Sequence, residues 1–436
     1  MTKKTPVTRR QFFGTNAVIG TSIASMATRP LAASTELDQN EPGQVGPRAL
    51  AQDYSVAVEL PSPDHYMHDP GMARLDNGDI FVAAPCFEWR DKGVLRRTKD
   101  LRVIVSEQLL LSRSTDGGVT WEPLGSMPYR DATPFVHDGK LFMFIPALNP
   151  KRLLLTSSDD GGKTWADPVT LFEGRYWNCS TGMTVVNNQL YWALNQKHKV
   201  VVIAADLSGD LMNPKTWRMS TPAPFPEVPD SLTRKLYPPE AGKWPVQWAG
   251  DLWLEPNVVH VHGQIRVLLR AIIDEYATAG LCGVCDLQDN GQEMELNFTQ
   301  FYPLPGGQNK FFILDDDVSG MFWMLSNLVT DSQDFQGNRE KLIETGFQGG
   351  AGNERRFLML FYSIDCLNWF PAGCVAQWPS LSQSFMYPSA AVDGDDMILI
   401  SRTSKNGQNQ HDADLVTFHR IKNFRSLALD LQPRFG

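Results

Sequence analysis

Ser114-Thr115-Asp116-Gly117-Gly118-Val119-Thr120-Trp121 recurs as Ser158-Asp159-Asp160-Gly161-Gly162-Lys163-Thr164-Trp165. A worn third copy is Ser363-Ile364-Asp365-Cys366-Leu367-Asn368-Trp369. Ser and Asp side chains bond turn amides, Gly supplies positive φ, and Trp packs beneath the turn. An apolar run precedes each copy: Leu109–Leu111, Leu153–Leu155 and Phe357–Phe361. Each copy therefore reads as the turn of a β-hairpin, built repeatedly into one chain.

The rest of the chain agrees. From about residue 55, helical periodicity is nearly absent, and short apolar runs alternate with Gly, Asp, Asn and Pro turns. Six such units begin near Gly78, Gly139, Thr184, Val258, Gly320 and Val392. Spread over the chain they have roughly 60 residues each, the size of a four-stranded blade with its loops. Radial packing of blades also disposes of edge strands. The expectation is an all-β chain forming one six-bladed β-propeller over residues 55–436, with a leader to it over 34–54.

Residues 1–33 read as a targeting segment. Thr8-Arg9-Arg10-Gln11-Phe12-Phe13 matches a twin-arginine export motif, and Phe12 to Thr28 is uncharged. Leu31-Ala32-Ala33-Ser34 offers a cleavage region, and no lipobox cysteine follows. The expected location is periplasmic or secreted, without a membrane anchor. Losing the five cations of the leader takes the formal charge from −9 to about −14. Such a surface disfavours nucleic acid, and an anionic ligand would need a local arginine cluster. Of the six cysteines, Cys282 and Cys285 have redox or zinc spacing but no second such pair, and read as two thiols on one strand. No metal or cofactor is expected.

Four residues carry the candidate chemistry. Glu255 precedes Arg270 by fifteen residues, and a hairpin about His262-Gly263 would bring them together. Arg355 leads into the strand before the worn turn, and Tyr387 opens the stretch Tyr387-Pro388-Ser389. Taken separately, these residues also suit a salt bridge, a solvated charge and a core tyrosine.

The repeated turn resembles the Asp box of bacterial sialidases, and the order and spacing of Glu255, Arg270, Arg355 and Tyr387 resemble that family's site. The resemblance implies a sialidase-type propeller acting on a terminal acidic sugar of a glycan or polysaccharide, with retention of configuration. It implies Tyr387 as nucleophile, Glu255 as its base and arginines clamping the substrate carboxylate. A phenol, with pKa of about 10, needs such a base, and a neutral nucleophile avoids repulsion from the bound carboxylate. His68, in His68-Asp69-Pro70, stands where the family has a further clamp arginine, and Arg90 matches another substrate-contacting arginine. Asp100 is the best-placed match for the acid/base, with Asp91 and Glu107 as alternatives. His68 in place of an arginine opens three other readings: a related acidic sugar, a glycan-binding propeller without activity, and a polysaccharide lyase using Tyr387 and His68. His411-Asp412-Ala413-Asp414 reads as a polar turn closing the last blade, and Asp315–Asp317 as a solvated turn.

Overall fold

The computed structural model describes residues 48–91, 102–196, 199–232, 252–272, 280–330, 354–407 and 410–431; in these spans the side chains of 89–91, 102–106, 230, 252–253 and 272 are left out. Strands dominate, and among the described residues no helix is long and apolar enough to cross a membrane.

The strands form six antiparallel sheets, each built in chain order, and the protein is a six-bladed β-propeller. Blades I to V span residues 65–127, 133–173, 184–224, 252–303 and 312–377. Blade VI takes Ser384–Asp393, Asp396–Ser404 and Leu415–Ile421, and its outer strand is Ser55–Glu59 from the other end of the chain. That pairing closes the ring. The closure begins earlier than the expected boundary at residue 55. Leu50 N–H and Ala51 N–H donate to the carbonyls of Cys374 and Val375 at 2.8 Å, and Ala51 is buried.

The first strand of each blade lies innermost, and most of these strands touch the first strand of a neighbouring blade. Apolar side chains on the remaining strands fill the wedges between blades. Between blades II and III, for example, Phe135, Phe144 and Trp192 stack with centroids 4.9 and 4.4 Å apart. Turns from the first to the second strand use Asp138-Gly139, Asn187-Asn188 and His262-Gly263, all with positive φ at both positions. This is the two-residue hairpin geometry that matches strand twist.

The three copies of the repeated octapeptide join the third and fourth strands of blades I, II and V. In the first, the Ser114 hydroxyl donates to Asp116 Oδ1 (2.8 Å) and accepts from Gly118 N–H (2.9 Å). Asp116 also accepts from the Val119 and Thr120 amides and from the Thr120 hydroxyl. These bonds hold its carboxyl down at about 2, led by those from Thr120. The second copy repeats the set around Asp160, and the third keeps it around Asp365, with Cys366 at φ 59°. The glycines also pack between blades. A Cβ at Gly162 (φ 95°) would lie 2.5 Å from Phe81 of blade I, and one at Gly118 (φ 93°) 2.1 Å from Phe418 of blade VI. Gly162→Ala is therefore expected to cost at least about 2 kcal/mol, from backbone strain and overpacking together. Denaturant unfolding checks this, and an unchanged midpoint would refute the packing role.

Cys86, Cys179, Cys282, Cys285 and Cys374 form no disulfide. Cys282 and Cys285 are buried on one strand and face different interblade clusters, as alternation over an odd separation requires.

Candidate active site

Strand direction decides which side chains meet. Within a blade the first and third strands run one way and the second and fourth the other. The starts of the first and third strands and the ends of the second therefore share one face of the ring. Glu255 and Tyr387 are each the fourth residue of a first strand, His68 and Arg355 come just before such starts, and Arg270 comes near the end of a second strand. The octapeptide turns follow third strands, so they lie on the opposite face.

Glu255 and Tyr387 are presented by matching β-bulges. Register between the first two strands of blade IV passes from Leu254↔Arg270 to Asn257↔Leu268, so Glu255-Pro256 is bulged. In blade VI it passes from Met386↔Arg402 to Ser389↔Ile400, and Tyr387-Pro388 is bulged. Both bulged residues have positive φ, 53° for Glu255 and 50° for Tyr387. Non-glycine residues adopt this conformation at a cost, and such bulges re-aim side chains next to functional sites. The residue after each proline fastens the bulge inside the ring. Asn257 Oδ1 accepts from Gly182 and Ile313 N–H (2.9 and 3.0 Å), and the Ser389 hydroxyl meets that of Ser180 at 2.8 Å. Buried Lys310 donates to the Pro388 carbonyl, and burial lowers its pKa.

The two bulged side chains meet. Tyr387 Oη donates to Glu255 Oε1 at 2.8 Å. Arg270 Nη1 donates to both Glu255 oxygens (2.9 and 3.2 Å) and to Tyr387 Oη (3.2 Å), and its Nε donates to the Gln308 carbonyl. All three are buried, Glu255 at 1% exposure. Burial, reinforced by Glu255 and Asp69, raises the Tyr387 pKa far above that of a free phenol. The hydroxyl therefore keeps its proton at neutral pH and has a carboxylate in place to receive it.

Two further guanidinium groups flank the tyrosine ring. That of Arg355 lies 5.5 Å from the ring centroid and that of Arg402 5.2 Å. Arg402 is fully buried and donates to Asp69 Oδ1 (3.0 Å) and to the His411 carbonyl. Arg355 is buried too, but among the described residues it has no carboxylate partner; its Nη1 lies 3.1 Å from Met386 Sδ. Burial, with Arg270 and Arg402 nearby, lowers its pKa against the opposing pull of Tyr387. A buried cation held without a counter-ion is costly, and an anion bound beside it would relieve that cost.

The structure thus brings together Glu255, Arg270, Arg355 and Tyr387. His68 departs from expectation. Its Nδ1 faces carboxylates, 3.1 Å from Asp69 Oδ2 and 3.8 Å from Asp131 Oδ1, and the third guanidinium beside the tyrosine is Arg402. Arg90 lies at the site-facing end of the strand Ile80–Asp91, with its side chain outside the description, as for Asp91. Asp100 lies outside the described residues. Glu107 is paired with Arg130 at 3.0 Å. His411 is not merely part of a closing turn, since its carbonyl holds Arg402 and its ring lies 6.2 Å from that of His68.

Arg402 was legible but not read. Tyr387-Pro388-Ser389 precedes Arg402 by fifteen residues, the separation of Glu255-Pro256-Asn257 from Arg270. The same bulge and hairpin in two blades place the same kind of arginine beside the bulged side chain.

No family model matches the sequence, and no curated protein matches it. Solved structures share the fold. A protein of unknown function from Dyadobacter fermentans superimposes with TM-score 0.52 at 14% identity, over 86% of this chain and 98% of that one. A Trypanosoma rangeli sialidase in complex with sialic acid gives TM-score 0.51 at 12% identity, over 83% of this chain and 55% of that one. This chain therefore matches little more than half the length of that sialidase. At these identities the likeness is one of fold.

Proposed function

We propose that this propeller is an exported glycoside hydrolase that releases a terminal acidic sugar, sialic acid or a related acid, from glycans with retention of configuration. The observation that carries the reading is the hydrogen bond from Tyr387 Oη to Glu255 within a cluster of three arginines, one of which has no carboxylate partner among the described residues. In the first step Tyr387 Oη bonds to the anomeric carbon and gives its proton to Glu255. The glycosidic C–O bond breaks, and the leaving oxygen takes a proton from the acid/base, assigned to Asp100. Water then attacks the anomeric carbon, giving a proton to that acid/base, and displaces the tyrosine oxygen, which recovers its proton from Glu255. Arg355, with Arg270 and Arg402 beside it, receives the sugar carboxylate, and Arg90 contacts the remainder of the substrate. The twin-arginine segment supports export to the periplasm or medium, where such glycans are met.

Turnover of a fluorogenic α-sialoside by the mature chain tests the reading. Inactivity of the folded protein on α-sialosides and on other acidic glycosides would refute it. Arg355 gives a sharper check. Arg355 is a buried cation to which the described residues offer no carboxylate, so Arg355→Met should raise the Tm of the empty protein. The same change should lower kcat/KM on the acidic substrate by about 100-fold or more, a loss typical of truncating a buried charge partner. A lowered Tm with unchanged kcat/KM would mark Arg355 as structural.

A further inference from the structure

We infer that His68, Asp69 and Asp131 hold a divalent metal ion at the mouth of the propeller, between blades I and II. His68 and Asp69 precede the inner strand Gly71–Arg74, and Asp131 precedes the inner strand Thr133–His137. Their donor atoms, His68 Nδ1, Asp69 Oδ2 and Asp131 Oδ1, all lie within 4.8 Å of one another. Ligands about 2.0–2.2 Å from a common ion are separated by roughly 3–4 Å, which agrees with the 3.1 and 3.8 Å from the imidazole to the two carboxylates.

The second observation concerns hydrogen bonding. These same three atoms are buried with no hydrogen-bond partner unless His68 is protonated toward the two carboxylates, and Asp69 and Asp131 are only 1% and 2% exposed. Buried carboxylate oxygens are otherwise satisfied, because leaving one without a partner is expensive. The outward oxygens are engaged. Asp69 Oδ1 accepts from Arg402 Nη1 at 3.0 Å, and Asp131 Oδ2 lies 3.5 Å from Arg130 Nε. Each carboxylate thus turns one oxygen to a guanidinium and the other to the shared centre, as outer partners orient ligands around a metal. The His68 ring stacks on Phe87, with centroids 4.8 Å apart and planes 28° apart, which fixes where Nδ1 points.

One imidazole nitrogen and two carboxylate oxygens suit zinc or manganese better than calcium, which prefers an all-oxygen set, or copper(I), which prefers sulfur. Three protein ligands leave positions for water or for an oxygen of a bound molecule. The rival account needs no metal: a protonated His68 bridging the two carboxylates.

The test uses the mature protein, stripped with a chelator and dialysed. Zinc and manganese chlorides are titrated separately by calorimetry, and the bound metal is counted after desalting. The inference expects one equivalent of at least one of these ions and a higher Tm with it bound. It also expects affinity at least roughly 100-fold lower in His68→Gln and Asp131→Asn. A folded wild-type protein that binds neither ion, or binding unchanged in His68→Gln, would overturn it in favour of the bridged imidazolium. Should both variants fail to fold, cobalt(II) titration of the wild type decides. Visible bands of a low-symmetry site with one tightly bound equivalent would support the inference, and the spectrum of the hexaaqua ion would refute it. Every readout is made without substrate, so the result stands apart from the proposed hydrolase activity.

Discussion

Tyr387→Phe is expected to lower kcat on an acidic glycoside by a factor of about 10⁴ or more while leaving the propeller folded. In the proposed mechanism the phenol oxygen bonds to the anomeric carbon, and among the described residues no other hydroxyl is bonded to Glu255. The structural cost should be small, because Phe keeps the ring flanked by Arg355 and Arg402. Glu255 Oε1 keeps its bond to Arg270 at 2.9 Å, so the change should cost about 1–2 kcal/mol. Steady-state kinetics and thermal unfolding of the same preparation make the measurement. Turnover within tenfold of wild type would eliminate the tyrosine mechanism, whatever the stability.

Glu255→Ala should have the largest effect on stability. Glu255 is the only carboxylate that the described residues offer Arg270, and both are buried. Without it Arg270 becomes a buried cation with no carboxylate among the described residues, and breaking a buried pair from one side costs about 3–5 kcal/mol. Glu255→Gln separates structure from chemistry. The amide keeps an acceptor for Arg270 but cannot take the phenol proton. It should recover much of the lost stability and none of the activity. An active Glu255→Gln enzyme would show that the pair is structural only.

Much of this arrangement could be read in the residues. The octapeptide names its own turn, because Ser, Asp and Gly act within a few residues of one another. Glu255 and Arg270 were legible for a similar reason: a hairpin about His262-Gly263 ties them by local geometry. The placing of His68 was not legible. Its partner Asp131 is more than sixty residues away on another blade, and no spacing within blade I announces that contact. Arg402 is announced only by its fifteen-residue distance from Tyr387, because the alternation of residues 397–404 reads the same for a buried and a solvated arginine.

By itself the sequence determined the strand-and-turn grammar and the number of blades. Periodicity, positive-φ glycines and strand parity are local, additive properties. Tertiary structure decided how the charges of the site are paired and added Arg402 to them. Closing the ring through Ser55–Glu59 brings the bulges of blades IV and VI against each other, 132 residues apart at the Tyr387–Glu255 bond. Among the described residues it also leaves Arg355 without a carboxylate and turns His68 toward two of them. The physical reason is range. A hydrogen bond or an ion pair depends on distances of a few ångströms between atoms whose separation along the chain carries no information until the blades are closed around their axis.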